Sequence, residues 1–307
     1  MRRILLVMAI VLSACAPARG AEFVLATPEQ GAAALTADDD FMRALSPADL
    51  ALRLKRDGGA LADLRALYRS STLAWSDAER GRLAAALARH QSQFAALARW
   101  LPETVYLAKN SEGVDGGLPH TRGATIFFGP NLPNDDVELD KVLVHELFHV
   151  LSRRNAAQHD ALYALIGFQH CASVAMPEEL KARLLTNPDA PTIEWVAPGP
   201  DEGAFMAPVL TVDPPHFTPA KPHFMQYLGV HFYAFTRDAA GACSIGAQIE
   251  PQRVLAPLTA SAGRNTGYVI HPEEILADNF EQMLTGRTDE PDPWVYQRLA
   301  AFLGIAP

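Results

Sequence analysis

Hydrophobic and polar positions change period several times along this chain, and each change predicts an element. Ile4 to Leu12 is nine apolar residues without a break. A mostly polar, patternless stretch follows to Asp38-Asp39-Asp40. Pro47 to Arg56 and Leu61 to Arg69 then read as short helices. Ser76 to Trp100 carries Leu83, Leu87, Phe94 and Leu97 at helical spacing and reads as one long helix, with His90 a structural member of it. The period next shortens: Thr104 to Ala108 and Ala124 to Phe128 ("ATIFF") read as strands. The glycine-rich "KNSEGVDGGLPHTRG" between them reads as a loop or hairpin connection. Val137, Leu139, Val142, Leu143, Leu147, Phe148 and Leu151 restore the helical period. That helix is capped by Asn134 or Asp135 and ends near Arg153-Arg154, cations suited to the negative end of its dipole.

Helices are expected near Ala161 to Ala172 and Pro177 to Leu185, with turn chemistry in "TNPDAP". Three strand-like runs lie between residues 191 and 236, separated by proline-rich stretches. The chain closes with helices near Pro251 to Leu258, Pro272 to Leu284 and Pro293 to Leu303. These elements predict one α+β domain over residues 41–307. It is mostly helical, with a small mixed sheet before the helix ending at Arg154 and a β-rich insertion after it. Residues 15–40 read as a tether.

The apolar run near the start is too short to cross a bilayer, which takes about 20 residues. Behind Arg2 and Arg3, and ahead of Leu12-Ser13-Ala14-Cys15, it has the pattern of a secretory signal over residues 1–14. Those last four residues resemble a bacterial lipobox, which implies lipidation of Cys15. The protein is then exported to the periplasmic side of a bacterial membrane as a lipoprotein; a cut near Gly20 instead makes it secreted. With Cys15 lipidated, Cys171 and Cys243 remain in an oxidising compartment, either as a disulfide or as two separate buried thiols.

Composition then removes one class of partner. Half the chain is hydrophobic (49%) and the net charge is −9, which suits a large core. No basic patch is present, so nucleic acid is not an expected partner.

The chemistry lies in His145-Glu146-Leu147-Phe148-His149. On a helix, residues i and i+4 share a face, so both histidines can reach one metal ion. Glu146 sits about 100° round the helix, placed to act on a water held by that metal without ligating it. The bare triplet arises by chance about once in a hundred chains of this length, so a third ligand decides its meaning. A His-x-x-Gly-x-x-His continuation is excluded, because Ser152 and Asn155 occupy the required positions. Glu274 is the preferred third ligand. It shares a helix face with Asp278, which can take the second ring N–H of a ligand histidine, with small Ala277 between them. Glu273 is the competing ligand.

His145-Glu146-x-x-His149 with Glu274-x-x-x-Asp278 resembles the gluzincin zinc metallopeptidases, over two helices of the chain. The resemblance implies a zincin-like fold, one Zn2+ held by His145, His149 and Glu274, and Asp278 behind a ligand. It further implies peptide-bond hydrolysis of a peptide or protein substrate through a zinc-activated water, with Glu146 as general base. It places "ATIFF" at the cleft rim, where it would pair with extended substrate; the run reads equally as a plain core strand. It gives Tyr268, or else His271, the role of steadying the oxyanion. Two other readings stand beside it: a catalytically silent zincin-fold envelope lipoprotein that binds a peptide or protein partner, and a structural lipoprotein with a chance motif.

Overall fold

Strands β1 (Glu22–Leu25), β2 (Thr72–Leu73), β3 (Thr104–Asn110), β4 (His120–Arg122) and β5 (Thr125–Phe128) form the first sheet. Its order is β1-β3-β5-β4, with β2 antiparallel along the end of β3. β1 and β5 run parallel to β3, and β4 turns back antiparallel against β5. These facts come from a computed structural model that describes residues 20–287 and 289–306. The leader, the lipobox and Cys15 lie outside the described residues.

Side chains alternate across a strand, and here both faces are covered. Ile126 and Phe128 join Val105 and Leu107 on the side of helix Asp136–Arg154. Phe127 and Ala108 face the other way, against Leu35, Phe41, Leu64 and Tyr68 of the N-terminal helices. A strand so enclosed cannot form a cleft rim. β5 is therefore an interior strand and not a cleft rim, and the edge strand next to it is β4, whose own residues are buried. β4 (His-Thr-Arg) has no hydrophobic alternation to mark it, which is why it reads as loop.

Residues 22–35, within the expected tether, are folded. β1 pairs with β3, and helix Pro28–Leu35 packs on the sheet with Leu35 fully buried. Local signals for that helix are present. Thr27 and Gln30 form a reciprocal capping box, and Pro28 takes the first helical position. The expected long helix is also two. It breaks at His90 between Asp77–Arg89 and Gln91–Ala96, where the His90 ring stacks on Phe94. The helix expected to run to Ala172 is only His159–Ala164. Gly167, at φ 79°, turns the chain into the second sheet, a backbone angle that favours glycine.

The second sheet comprises β6 (Gln169–His170), β7 (Ser173–Ala175), β8 (Trp195–Pro198), β9 (Phe205–Val212), β10 (Leu228–Arg237) and β11 (Ala242–Gln248). Its order is β6-β8-β9-β10-β11-β7, antiparallel except where β7 lies beside β11. A Cys171–Cys243 disulfide, with Cα atoms 5.5 Å apart, ties the start of β7 to β11. Among the described residues no helix is long and apolar enough to cross a membrane.

Helix Asp136–Arg154 lies at the centre. Leu143, Leu147 and Phe148 are fully buried, and Phe148 meets Phe280 of helix Pro272–Leu284 at 5.4 Å between ring centroids. Ile275, Leu276 and Ala277 complete the contact. Each such apolar side chain contributes about 1.5–3 kcal/mol on burial, so hydrophobic packing sets how these two helices sit.

A buried charge cluster joins the N-terminal helices to the middle of the chain. Arg53, on helix Pro47–Leu54, donates Nε to Asp49 at 2.6 Å and Nη2 to the Thr186 carbonyl at 2.8 Å, and it contacts Asp115. Asp49 accepts the Thr186 N–H at 2.8 Å. Arg53→Met leaves Asp49 and Asp115 without their cation. It should cost about 3–5 kcal/mol, measured as a loss of unfolding free energy in urea; a change below about 1 kcal/mol would contradict the clamp.

Candidate metal centre

Helix Pro272–Leu284 starts with signals visible in the chain. His271 is the N-cap, its Nδ1 accepting the Glu273 N–H at 3.1 Å, and Pro272 opens the first turn. Glu273 and Glu274 occupy that turn, where the helix dipole favours carboxylates. Both reach across to the motif helix.

The two imidazoles are held from behind. His145 Nδ1 lies 3.0 Å from Asp278 Oδ1, the contact expected of Asp278. His149 Nδ1 lies 2.9 Å from Glu273 Oε1. Both Nε2 atoms then point to one place: His145 Nε2 is 3.2 Å and His149 Nε2 3.5 Å from Glu274 Oε2. Glu273, the competing ligand by sequence, thus orients His149 as Asp278 orients His145. Ser152 and Tyr163 donate hydroxyl bonds to Glu273 Oε2 at 2.7 and 2.6 Å. Thr266 donates to Asp278, and Asn187 to Glu274 Oε1.

This donor set fits a metal. The ligand atoms of His145, His149 and Glu274 all lie within 4.8 Å of one another. In a tetrahedron with bonds of about 2.0–2.2 Å, donors sit roughly 3.3–3.6 Å apart, close to the separations seen. His149 Nε2 is buried with no hydrogen-bond partner, an atom that a metal bond would satisfy. Two imidazoles and one carboxylate match the protein ligands of a catalytic zinc, which keeps a fourth position open.

Electrostatics agree. Burial opposes charge on His145, yet Asp278 and Glu274 hold its pKa up, to about 10. Burial likewise opposes ionisation of Glu274, but His149 and His145 hold it well below the ordinary range. The cluster is rich in anions and favours positive charge at its centre.

Glu146 is buried, and burial raises its pKa against the pull of His149 and His145. Thr121 Oγ1, on edge strand β4, donates to Glu146 Oε2 at 2.9 Å. Asp189 lies beside it. Its Oδ1 accepts the Thr121 N–H at 2.7 Å, and burial pushes its carboxyl up to about 8.

A cavity of about 450 Å³ opens on this group. His145, Glu146, Glu274, Asp278 and Tyr268 line it, as do Leu118, Val142, Leu210 and Ile270. Tyr268, 44% exposed, therefore faces the same space as Glu146. His271 does not: it caps its helix, packs edge-on against Tyr163 at 5.9 Å between centroids and lines neighbouring cavities.

Sequence reasoning missed Thr121, Ser152, Tyr163, Asn187 and Asp189. Ser152 alone carried a signal, three residues past His149 on the same helix face. The others come from segments whose spacing to the motif has no regularity.

Removing a ligand should cost more than removing its support. Glu274→Ala should abolish zinc retention, while Glu273→Ala should weaken it about 10–100-fold, read by competition with a chromophoric chelator on protein whose circular dichroism is unchanged. The reverse order would overturn the ligand assignment. Comparison with protein-family models, with curated proteins and with solved structures found no match to this chain in any of the three.

Proposed function

We propose that this chain is a zinc-dependent peptidase of gluzincin type with a zincin-like fold, acting on a peptide or protein substrate. One observation carries the reading: the Nε2 atoms of His145 and His149 converge on Glu274 Oε2 while carboxylates of the same helix hold both Nδ1 atoms. Bound zinc supplies a water acidified towards pKa ~7 and polarises the substrate carbonyl.

The chain's own residues do the rest. Glu146, with its proton affinity raised by burial, takes a proton from the attacking water and returns it to the leaving nitrogen. Thr121 keeps one Glu146 oxygen oriented and leaves the other for that transfer. Burial raises the Tyr268 hydroxyl above its ordinary range, so it stays protonated and can donate to the developing oxyanion. Apolar cavity walls exclude water from the reacting bond.

Export is part of the proposal. The leader pattern and the lipobox-like Leu12–Cys15 favour a lipid-anchored protein at the periplasmic face of a membrane, and a Cys171–Cys243 disulfide suits an oxidising compartment.

Purified protein should hold about one zinc per chain in both wild type and Glu146→Gln, with peptide hydrolysis lost by at least roughly a hundredfold only in the variant. Elemental analysis and a peptide-library digest read by mass spectrometry make the measurement. Zinc without hydrolysis of any peptide would favour the silent binding protein, and absence of zinc would sink both.

A further inference from the structure

Segment Thr186–Thr192 crosses the candidate site as a fixed wall. Asp49 and Arg53 hold the two polar groups of the Thr186 peptide, each at 2.8 Å. Asn187 donates to Glu274, and Arg153 Nη2 donates to the Pro188 carbonyl at 3.0 Å. Anchors on three successive residues leave little freedom for a hinged flap.

The wall separates two cavities. Pro188 and Asp189 line the one that holds Glu146, and the same two residues line a second, with Arg122, Tyr163 and Trp195. Edge strand β4 runs past both: His120 lines the first and Arg122 the second. Between them, the Thr121 N–H is the donor an extended peptide would need in order to pair with this edge. Asp189 Oδ1 already takes it. Edge pairing is therefore closed at Thr121.

That closed end gathers carboxyl groups. Ligand atoms of Asp189, Glu146 and His149 lie within 4.8 Å of one another. Arg153 Nη2 is directed to the carbonyls of Pro188 and Asp189 at 3.0 and 3.4 Å and makes no ion pair with the Asp189 carboxylate. Glu146 and Glu274 line the same cavity as Asp189, so an arriving ammonium meets several carboxylates there. A substrate carboxylate would meet like charge.

Resting on the peptidase reading above, we infer that the site is an aminopeptidase site: Asp189 receives the free α-ammonium of a peptide, and the first peptide bond is the one cut. The α-nitrogen and carbonyl carbon of one residue are two bonds apart, roughly 2.5 Å. The first side chain enters the 450 Å³ cavity, whose Leu118, Val142, Leu185, Leu210, Leu228 and Ile270 select an apolar residue. Hydrolysis adds water across that bond, releasing a free amino acid and a peptide shorter by one residue.

The test uses the zinc-loaded full chain with matched peptides that begin with leucine, free or N-acetylated. Free-amine peptides should lose single residues from the amino end, and the acetylated forms should react at least roughly 30-fold more slowly. Asp189→Asn keeps the acceptor for Thr121 but removes the charge. It should raise KM for free-amine peptides by a similar factor, so that their preference over the acetylated forms is lost, with zinc content unchanged. Leucinol against N-acetyl-leucinol, titrated calorimetrically, reads the amine preference without turnover. Internal cleavage of acetylated peptides at equal rates would overturn the inference and leave the peptidase reading intact. Loss of zinc in Asp189→Asn would overturn it too, making Asp189 a metal ligand. Zinc retention with no hydrolysis would remove the peptidase reading; the amine site then stands only if leucinol still binds at least roughly 30-fold tighter than N-acetyl-leucinol and Asp189→Asn abolishes the difference.

Discussion

The contact on which the site depends is the pair of imidazole–carboxylate bonds between two packed helices. Asp278 and Glu273 hold the Nδ1 atoms of His145 and His149, and only then do both Nε2 atoms face Glu274. Such bonds form at one rotation and one spacing of helix Pro272–Leu284 against helix Asp136–Arg154. Apolar packing sets both. Phe148 against Phe280 and the small Ala277 fix the approach, so a hydrophobic interface positions a polar cluster on the same helices. A loosened contact near Phe280 would misplace the ligands although it touches none of them.

Burial of so much charge is tolerable because almost every group has a partner. Glu273 accepts from His149, Ser152 and Tyr163, and Asp278 from His145 and Thr266. The same logic operates farther out. Arg53 and Asp49 bind the Thr186 peptide, Asn187 passes that order to Glu274, and Asp189 reaches edge strand β4. Four stretches of chain thereby share one network. Two buried groups in it stand apart: Glu146, raised by burial, and Asp189, pushed up to about 8. In the proposed peptidase these are the groups that meet the substrate, one at the reacting bond and one at the amino end. Perturbed carboxylates in a cavity are where such work is expected.

The parts legible in the chain were those with a repeat shorter than a helix turn or two. The i, i+4 histidines, the Glu274–Asp278 pair, the first-turn Pro272 and the capping residues all follow from helix geometry, which needs no tertiary partner. Sheets were harder to read. β1 and β4 are short and lack alternation, and their partners lie far away in sequence or across a turn. For that reason residues 22–35 read as tether and β4 as loop, while the strongly patterned β5 read as a rim although it is enclosed on both sides.

By itself the sequence determined that two histidines and a glutamate share one helix and that a later helix offers carboxylates. It left Glu273 and Glu274 as competitors. The packed structure gives the two different contacts, Glu274 with both Nε2 atoms and Glu273 with His149 Nδ1, because two side chains 100° apart on a helix meet different groups once a second helix occupies one side. The wall at Thr186–Thr192 and the place of Asp189 were likewise decided in three dimensions. They rest on a buried arginine 133 residues before Thr186 and on one edge N–H, and long-range hydrogen bonds of this kind leave no period in a sequence.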